Sequence, residues 1–538
     1  MKLCLSCTKI FLIHLCLGFL ICKGANDLNS SIFESFDEDK DILIEPLTMK
    51  ALIAKVLLNN RNIKSADLEK VIQAEKLKTA QSPFDFNLFS SYNREEKHTP
   101  QNSADYVSSG GGTGSPTNPL QPTLSSPNIF EQRNHSLSLG ISKKMNDGMI
   151  VELSTNMNIL DNTLNRSKPP AVFQPEWESY SGVSVTVPLL KDGGRDSNLA
   201  GIRIAQANVR MADIAWKDGI ASLVAESMKL YYDVIYTIEN LKVKQDSVQL
   251  ARRLLSDTIA RKARGRAAES DIMVADAALY QRIDESLTAE ALYVDRQNSL
   301  KLLYVNEPKP NETAFRIVPV DSMIDTVPET NRTQMLFTAF EKRYELQQIK
   351  ETIKTKVYEL DYAYNQTKPK LDLVAGTGLN GLAGNGGQSY RSAFKHQGYE
   401  WFAGLEFSMS LDTDNRTASH RAARRALEQM YYRKSDLRAQ ISVELDTIIS
   451  RLKSSEKRLT ATRKSSEASL KSSEAALIKL REGVGTSFEV LQLQKEYSLA
   501  RIREIAALTD LNKDLVDSYL VTGQLLEKMN ISPVSEFE

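Results

Sequence analysis

The stretch Leu480-Arg-Glu-Gly-Val-Gly-Thr-Ser-Phe-Glu-Val-Leu-Gln-Leu-Gln494 decides the fold, because it joins two long helical patterns end to end. Apolar residues at spacings of three and four predict helix from Thr417 to Glu482. Gly483 to Gly485 interrupt the pattern, which then resumes as far as Val521. A helix of about 67 residues would extend about 100 Å, which no globular enzyme core requires. The heptad-like spacing favours a coiled-coil-like wall.

The same pattern occurs earlier in the chain at a constant offset of 218 residues. Gly265 corresponds to Gly483, and Asp271 corresponds to Glu489. Each copy reads helix, strand, strand, long helix, turn, helix, which indicates an internal two-fold repeat. The predicted organisation is a signal peptide at 1–24, an N-terminal segment at 25–46, a first copy at 47–304 with a loop insertion at 95–178, a linker at 305–330, a second copy at 331–522 and a C-terminal tail at 523–538.

Each copy contributes two predicted strands with alternating apolar and polar residues. They are Phe84–Tyr92, Gly182–Leu189, Leu371–Leu379 and Phe402–Leu411. This alternation is typical of a membrane β-barrel, and equally of an ordinary half-buried strand. Aromatic residues stand near one end, as interfacial aromatics would: Trp177, Tyr180, Tyr399 and Trp401. About four strands cannot close a barrel, so a membrane barrel would have to be shared among subunits.

A further hairpin candidate lies inside the insertion of the first copy. Ser136–Lys144 and Met149–Met157 flank a turn at Asp147-Gly148. If this hairpin joined the barrel, each chain would contribute six strands. The sequence leaves that choice open.

The N-terminus has the pattern of a secretory signal. Lys2 and Lys9 precede the mainly apolar run Ile10–Ile21, which is too short to span a bilayer as a helix. All four cysteines lie in this leader, and Cys22 is a candidate lipidated residue. No later stretch predicts a transmembrane helix.

The remaining composition argues against enzymes and nucleic-acid binders. Lys plus Arg and Asp plus Glu both total 68, so no net charge indicates nucleic acid. Gly376-x-Gly378-x-x-Gly381 matches a dinucleotide fingerprint, but Gly384, Gly386 and Gly387 predict that no helix follows, so an extracellular loop is expected instead. The sequence predicts no catalytic residue, no cofactor and no metal site.

Four segments together resemble the outer membrane efflux (TolC-like) family. They are Ala51–Phe86, Ser184–Gly193, Glu226–Tyr232 and Leu480–Gln494, within a resemblance that extends from Leu47 to Val521. The resemblance implies an α+β membrane protein: a homotrimer with a long antiparallel α-helical coiled-coil-like barrel in the periplasm and a shared transmembrane β-barrel in the outer membrane lipid. It also implies a periplasmic adaptor (membrane fusion) protein and an inner-membrane pump as partners.

The resemblance places the periplasmic tip and adaptor docking at the two turns, at Gly265, Gly483, Val484, Gly485 and Thr486. It makes Asp271 and Glu489 candidates for an acidic ring in the pore. Thr486-x-x-Glu489 also matches a capping box, so capping remains an alternative role for Glu489. Ala268 replaces the threonine in the first copy, so its cap must differ.

Two functions remain in competition. The first is an outer-membrane channel subunit of a tripartite efflux or type I secretion system in a Gram-negative bacterium. The second is a periplasmic or surface structural coiled-coil protein, which would leave the signal peptide and the alternating strands unexplained.

Overall fold

The computed structural model describes residues 43–102, 129–163, 172–305, 315–395 and 398–533. The predicted signal peptide at 1–24 and Cys22 lie outside these residues, and so does most of the N-terminal segment at 25–46.

Helices make up most of the described chain. They are α1 (Met49–Asn59), α2 (Arg61–Gln81), α3 (Ala200–Ala263), α4 (Glu269–Leu302), α5 (Arg332–Lys342), α6 (Tyr344–Gln366), α7 (Gly386–Phe394), α8 (Thr413–Arg481), α9 (Ser487–Val521) and the single turn α10 (Leu525–Lys528). A further single helical turn, Arg195–Asn198, precedes α3. The two long helices fall where the periodicity predicts them, and α8 has 69 residues. No helix in the described part of the chain is long and apolar enough to cross a membrane.

The opening helix of each copy is broken once, although its periodicity is continuous. Asn60 and Arg343 each adopt an extended conformation between two helices. Asn60 Oδ1 accepts hydrogen bonds from Asn62 N and Ile63 N (2.9 and 3.3 Å), so it restarts the helix as an N-cap. A single extended residue leaves both halves amphipathic, which is why the pattern does not reveal the break.

The strands form one large sheet and one small one. They are β1 (Leu43–Leu47), β2 (Phe86–Pro100), β3 (Ile129–Lys144), β4 (Ile150–Leu160), β5 (Glu176–Pro188), β6 (Phe315–Pro319), β7 (Lys370–Ala383) and β8 (Tyr399–Ser408). The large sheet has the order β2-β3-β4-β5-β7-β8, and all of its pairs are antiparallel.

The prediction of about four strands per chain is therefore wrong. The hairpin candidate of the first copy is real, and β3 and β4 lie in the interior of the sheet rather than in a loop. Its turn is held against the start of the long-helix segment, where Gly194 N donates to Asp147 O (3.0 Å). The hairpin joins the sheet because its strands alternate in phase with their neighbours.

The small sheet closes the main hydrophobic core. β1 pairs with β6 in parallel, so Leu43 lies opposite Phe315. Ile317 and Tyr231 are fully buried, and the Tyr231 hydroxyl donates to Leu47 O (2.9 Å). Leu525 of α10 belongs to the same core. The predicted linker at 305–330 and tail at 523–538 thus both contribute packed elements.

The long helices pack side by side in rows of four. Next to the large sheet the row is α2-α3-α6-α8, and at the opposite end it is α4-α3-α9-α8. α3 and α8 run through both rows because each is long enough to reach from the sheet to the turns.

Candidate functional site: the large sheet and the helix turns

The large sheet has one apolar face that is open to its surroundings. A single cross-strand row runs through all six strands: Leu88, Ile141, Leu153, Val183, Thr377 and Trp401. Leu88 is 68% exposed, and Leu153 and Trp401 are also exposed. An apolar face of this extent is typical of contact with lipid or protein rather than water.

The opposite face is polar. The neighbouring cross-strand row consists of Asn87, Ser142, Glu152, Ser184, Gly376 and Phe402. In these two rows, the predicted alternation of Val183 with Ser184 is found in β2, β3, β4 and β5. Tyr180 lies on this polar face, opposite Asn156 and Asn380, so it is not the interfacial aromatic that the sequence suggested.

Aromatic rings on the polar face lie over glycines of the neighbouring strand. A Cβ on Gly376 would lie 2.7 Å from the ring of Phe402, and one on Gly378 would lie 2.3 Å from the ring of Tyr180. Phe89 covers Gly140 in the same way, with a Cβ distance of 2.3 Å. Each ring therefore occupies the space that a side chain would fill.

This packing explains the apparent dinucleotide fingerprint. Gly376, Gly378 and Gly381 all lie within β7, which continues straight through them, so there is no phosphate-binding turn. A Cβ on Gly381 would lie 2.0 Å from Ser389 O. The prediction that no helix follows is wrong, because Asn385 caps α7 by accepting from Gln388 N (2.9 Å).

Helix α7 covers the apolar face at the end of the sheet away from the long helices. Tyr390 OH hydrogen-bonds Thr155 Oγ1 (2.9 Å), and Ser389 Oγ hydrogen-bonds Ser179 Oγ (2.8 Å). The helix thereby satisfies hydroxyl groups that interrupt the apolar face. Sequence reasoning missed it because three glycines near its start suggested a loop.

The two predicted turns have the same backbone structure. Gly265 and Gly483 have φ values of 70° and 82°, a conformation that glycine adopts at little cost. In the first turn, Arg266 N donates to Arg261 O (2.9 Å) and Gly265 N to Lys262 O (2.8 Å). The second turn makes the equivalent pair of bonds from Val484 and Gly483. Both are Schellman motifs that end a long helix.

The returning helices begin with two different halves of a capping box. Thr486 Oγ1 accepts from Glu489 N (3.2 Å) at the start of α9. At the start of α4, where Ala268 has no hydroxyl group, the Asp271 carboxylate accepts from Ala268 N (2.9 Å). Asp271 is thus a cap in this chain. The Glu489 carboxylate is exposed and makes no hydrogen bond or ion pair with any described residue.

The two turns lie together at one end of the molecule. Leu254, Leu480, Val490 and Leu491 form one buried cluster that joins α3, α8 and α9 just behind them. Val484 is 79% exposed at the second turn, and Phe488 is 66% exposed beside it. Sequence reasoning named Val484 but missed Phe488, whose apolar ring in the first turn of a helix was the available signal.

Part of the chain matches the sequence model of a known protein family. Residues 338–524 match the model described as outer membrane efflux protein, a family of efflux proteins rather than of enzymes. The match covers 187 of the 538 residues. The matched segment includes α6, the strands β7 and β8, the helix turn at Gly483 and α9. No curated protein matches the chain in sequence.

Solved structures resemble this chain along most of its length. The outer-membrane channel OprN has a TM-score of 0.63 at 15% identity, covering 88% of this chain and 90% of that one. CmeC of Campylobacter jejuni has a TM-score of 0.60 at 12% identity, with coverages of 89% and 86%. VceC of Vibrio cholerae has a TM-score of 0.62 at 11% identity, with coverages of 88% and 96%. At such identities the likeness establishes the fold.

Proposed function

We propose that this chain is the outer-membrane channel subunit of a tripartite efflux or type I secretion system in a Gram-negative bacterium. Three copies would form a passive duct through the outer membrane and the periplasm. The observation on which the proposal rests is the large sheet, with its exposed apolar row, its polar face and its two edges, β2 and β8, which pair with no other strand among the described residues.

The unpaired edges are the reason for assembly. Within a bilayer no water satisfies an exposed backbone N–H or C=O, so a sheet with open edges is not stable there. Pairing β2 of one copy with β8 of the next removes every edge in a closed ring. The match to the outer membrane efflux protein model and the likeness to outer-membrane channels support a trimer as that ring.

The helix turns are the proposed periplasmic tip. Gly265, Gly483, Val484, Gly485 and Thr486 lie at the end of the chain opposite the sheet, so they would face the inner membrane. The exposed Val484 and Phe488 provide apolar contacts for a periplasmic adaptor protein, which would in turn hold an inner-membrane pump. In the trimer, three unpaired Glu489 carboxylates would surround the pore.

A structural coiled-coil protein is the competing function. The long helices suit it equally well. A water-soluble rod, however, would expose the whole apolar row from Leu88 to Trp401 to solvent. Each Å² of apolar surface left in water costs about 25 cal/mol of free energy.

Fractionation and mass measurement in detergent test the proposal. We expect the protein in the outer-membrane fraction, and a detergent-solubilised particle with the mass of three chains and heat-modifiable β-structure. Recovery of all the protein in the soluble periplasm would refute the membrane assignment. A monodisperse monomer with intact β-structure would refute the shared barrel.

A further inference from the structure

The hairpin β3-β4 is built into the middle of the sheet. It separates β2 from β5, and its ten cross-strand pairs run from His135 with Ile159 to Lys144 with Ile150. Ile141 and Leu153 continue the exposed apolar row, while Ser142 and Glu152 continue the polar row. The hairpin therefore presents the same two faces as the strands around it.

The hairpin also takes part in the aromatic packing of the polar face. Phe89 of β2 lies over Gly140 of β3, as Phe402 of β8 lies over Gly376 of β7. The same arrangement thus occurs at both ends of the sheet, once with an inserted strand and once with a strand of the second copy. An appended hairpin outside the barrel wall would not need a glycine under that ring.

We propose that the assembled barrel contains eighteen strands, six from each of three copies. Four strands from each copy, as the sequence alone predicted, would give a barrel of twelve. This inference rests on the proposed trimeric duct. The new contact is β2 of one copy against β8 of the next, with a second copy of this chain as the only partner. Six is an even number, so β2 starts and β8 ends on the side of the long helices, as a closed antiparallel ring requires.

The widths of the two layers support this count. Four helices packed about 8–10 Å apart form a row about 36 Å wide. Strands spaced about 4.8 Å apart and tilted by about 40° occupy about 6.3 Å each around a barrel, so six of them span about 38 Å. Four such strands would span only about 25 Å. A six-stranded sheet therefore matches the four-helix row above which it sits.

The consequence is a duct that keeps its width through the outer membrane. Barrel diameter grows roughly in proportion to strand number, so the inferred barrel is about 1.5 times as wide as one of twelve strands. Its wall is lined by serine, asparagine and carboxylate side chains, and its aromatic rings lie flat against the wall. Such an exit suits large hydrophilic cargo, and the barrel is not the narrowest part of the duct.

Single-particle density of the detergent-solubilised protein, together with polymer exclusion in planar bilayers, tests the inference. Polyethylene glycols of graded size are added to the side of the bilayer on which the β-sheet end of the channel opens. Deletion of residues 103–171 removes β3 and β4 and joins β2 to β5 at the end where both already lie. We expect eighteen strands in the intact protein, and in the deletion variant a polymer cut-off radius smaller by about one third.

The control shortens the same connection without removing a strand. Deletion of residues 105–126 leaves both β2 and β3 intact, and should leave the cut-off radius unchanged. A trimer whose barrel has twelve strands, with the hairpin outside the wall, would overturn this inference and leave the proposed function standing. A particle of two chains, or of one, would overturn the proposed function itself. If the deletion variant does not assemble, the strand count of the intact protein decides the matter.

Discussion

At the scale of single residues, glycine has a packing role on the polar face of the sheet. Gly376 and Gly378 are required not for backbone flexibility but for the space beside Cα. Tyr180 and Phe402 fill that space, and their rings therefore lie along the wall instead of projecting from it. A substitution at such a position tests the packing directly.

Gly378→Ala should destabilise the sheet. The new Cβ would lie 2.3 Å from the Tyr180 ring, which must move off the wall, and overpacking of this kind costs about 1–3 kcal/mol. Thermal unfolding of the detergent-solubilised protein measures the effect. Gly404→Ala is the matched control, since it lies on the same face in β8 and its Cβ would meet nothing within 4 Å. Equal losses in the two variants would contradict the packing role.

At the second turn, helix capping and the proposed pore charge belong to two different residues, Thr486 and Glu489. Thr486→Ala removes the hydroxyl that accepts from Glu489 N, and should cost about 0.5–2 kcal/mol of stability while leaving ion selectivity unchanged. Glu489→Gln keeps the cap and removes an unpaired charge, so the reconstituted channel should lose part of its cation selectivity and none of its stability. Reversal potentials in a salt gradient, measured beside thermal unfolding, distinguish the two.

Carboxylates elsewhere leave a residual selectivity in that experiment. Glu152, Asp372 and Glu406 lie on the polar face of the sheet and would line the same duct. The loss on Glu489→Gln should therefore be partial. If Glu489→Gln lowers the unfolding temperature and leaves the reversal potential untouched, the residue is only part of the cap.

Asp218 provides a pH-dependent test in the helical part of the molecule. Burial raises the pKa of its carboxyl, Glu345 raises it further, and Arg343 opposes both. A raised pKa means that the folded state binds the proton more tightly, so this group stabilises the fold at acid pH and loses that contribution as pH rises through the folded pKa. Asp218→Asn should raise the unfolding temperature at pH 7 by about 1–3 °C and have little effect near pH 4. An equal shift at both pH values would contradict the titration of Asp218.

At the scale of elements, the edges β2 and β8 are the surfaces that the proposed trimer must join. All native cysteines lie between Cys4 and Cys22, so cysteines placed in the strands form an unambiguous pair. Ser91→Cys in β2, combined in turn with cysteine at Phe402, Gly404 or Glu406 in β8, should give disulfide-linked dimers and trimers in gels. All four positions lie on the polar face, as the face alternation requires.

The interior strand β3 supplies the control for this experiment. Ser138→Cys lies on the same face as Ser91, but its strand is already paired on both sides. Combined with the same β8 positions, it should give no intermolecular disulfide. Crosslinking through Ser138 and none through Ser91 would mean that the edges of the sheet are not where the chains meet.

Strong periodicity made the long helices and the two turns predictable from the sequence. The Gly265 and Gly483 turns, the offset of 218 residues and the alternation around Val183 all depend on local patterns that a reader of the sequence can count. The absence of a threonine at Ala268 also predicted that the first cap differs, and Asp271 provides it.

The elements that were missed depend on distant partners. β1 and β6 are five residues each and show no alternation, and they become strands only because they pair with each other in the core. The hairpin β3-β4 was visible as an alternating pattern, but its place inside the sheet is fixed by pairing with β2 and β5. Glycines usually indicate a turn or loop in a sequence, so Gly384, Gly386 and Gly387 hid the start of α7, which Asn385 caps.

At the scale of the whole molecule, the sheet has a near end, next to the long helices, and a far end, away from them. The tight turn at Asp147-Gly148 lies on the side of the long helices, whereas the strand ends that the three longer connections join lie on the other side: Pro100, Ile129, Leu160, Glu176, Ala383 and Tyr399. Short turns on the periplasmic side and long connections outside are typical of outer-membrane barrels. In the proposed channel, this asymmetry predicts that the long helices lie on the periplasmic side.

Surface labelling of intact cells tests that orientation. Phe394→Cys lies at the end of α7 on the far side, where the side chain is exposed, and should react with a membrane-impermeant maleimide. Asn146→Cys lies in the exposed turn on the near side and should react only after the outer membrane is permeabilised. Labelling of Asn146→Cys alone in intact cells would mean that the barrel is inverted.

The parallel pair β1-β6 has a consequence for the order in which the protein folds. Leu43 finds its partner only at Phe315, after more than half of the chain has been synthesised. Contacts between such distant residues form slowly, because a long loop must be closed before any of them is made. Until then, in the proposed channel subunit, the exposed apolar residues of β2 to β5 would remain in the aqueous periplasm with their edges unpaired, a state prone to aggregation. Biogenesis of this subunit should therefore depend on a periplasmic chaperone that shields the first half of the chain until the second half arrives.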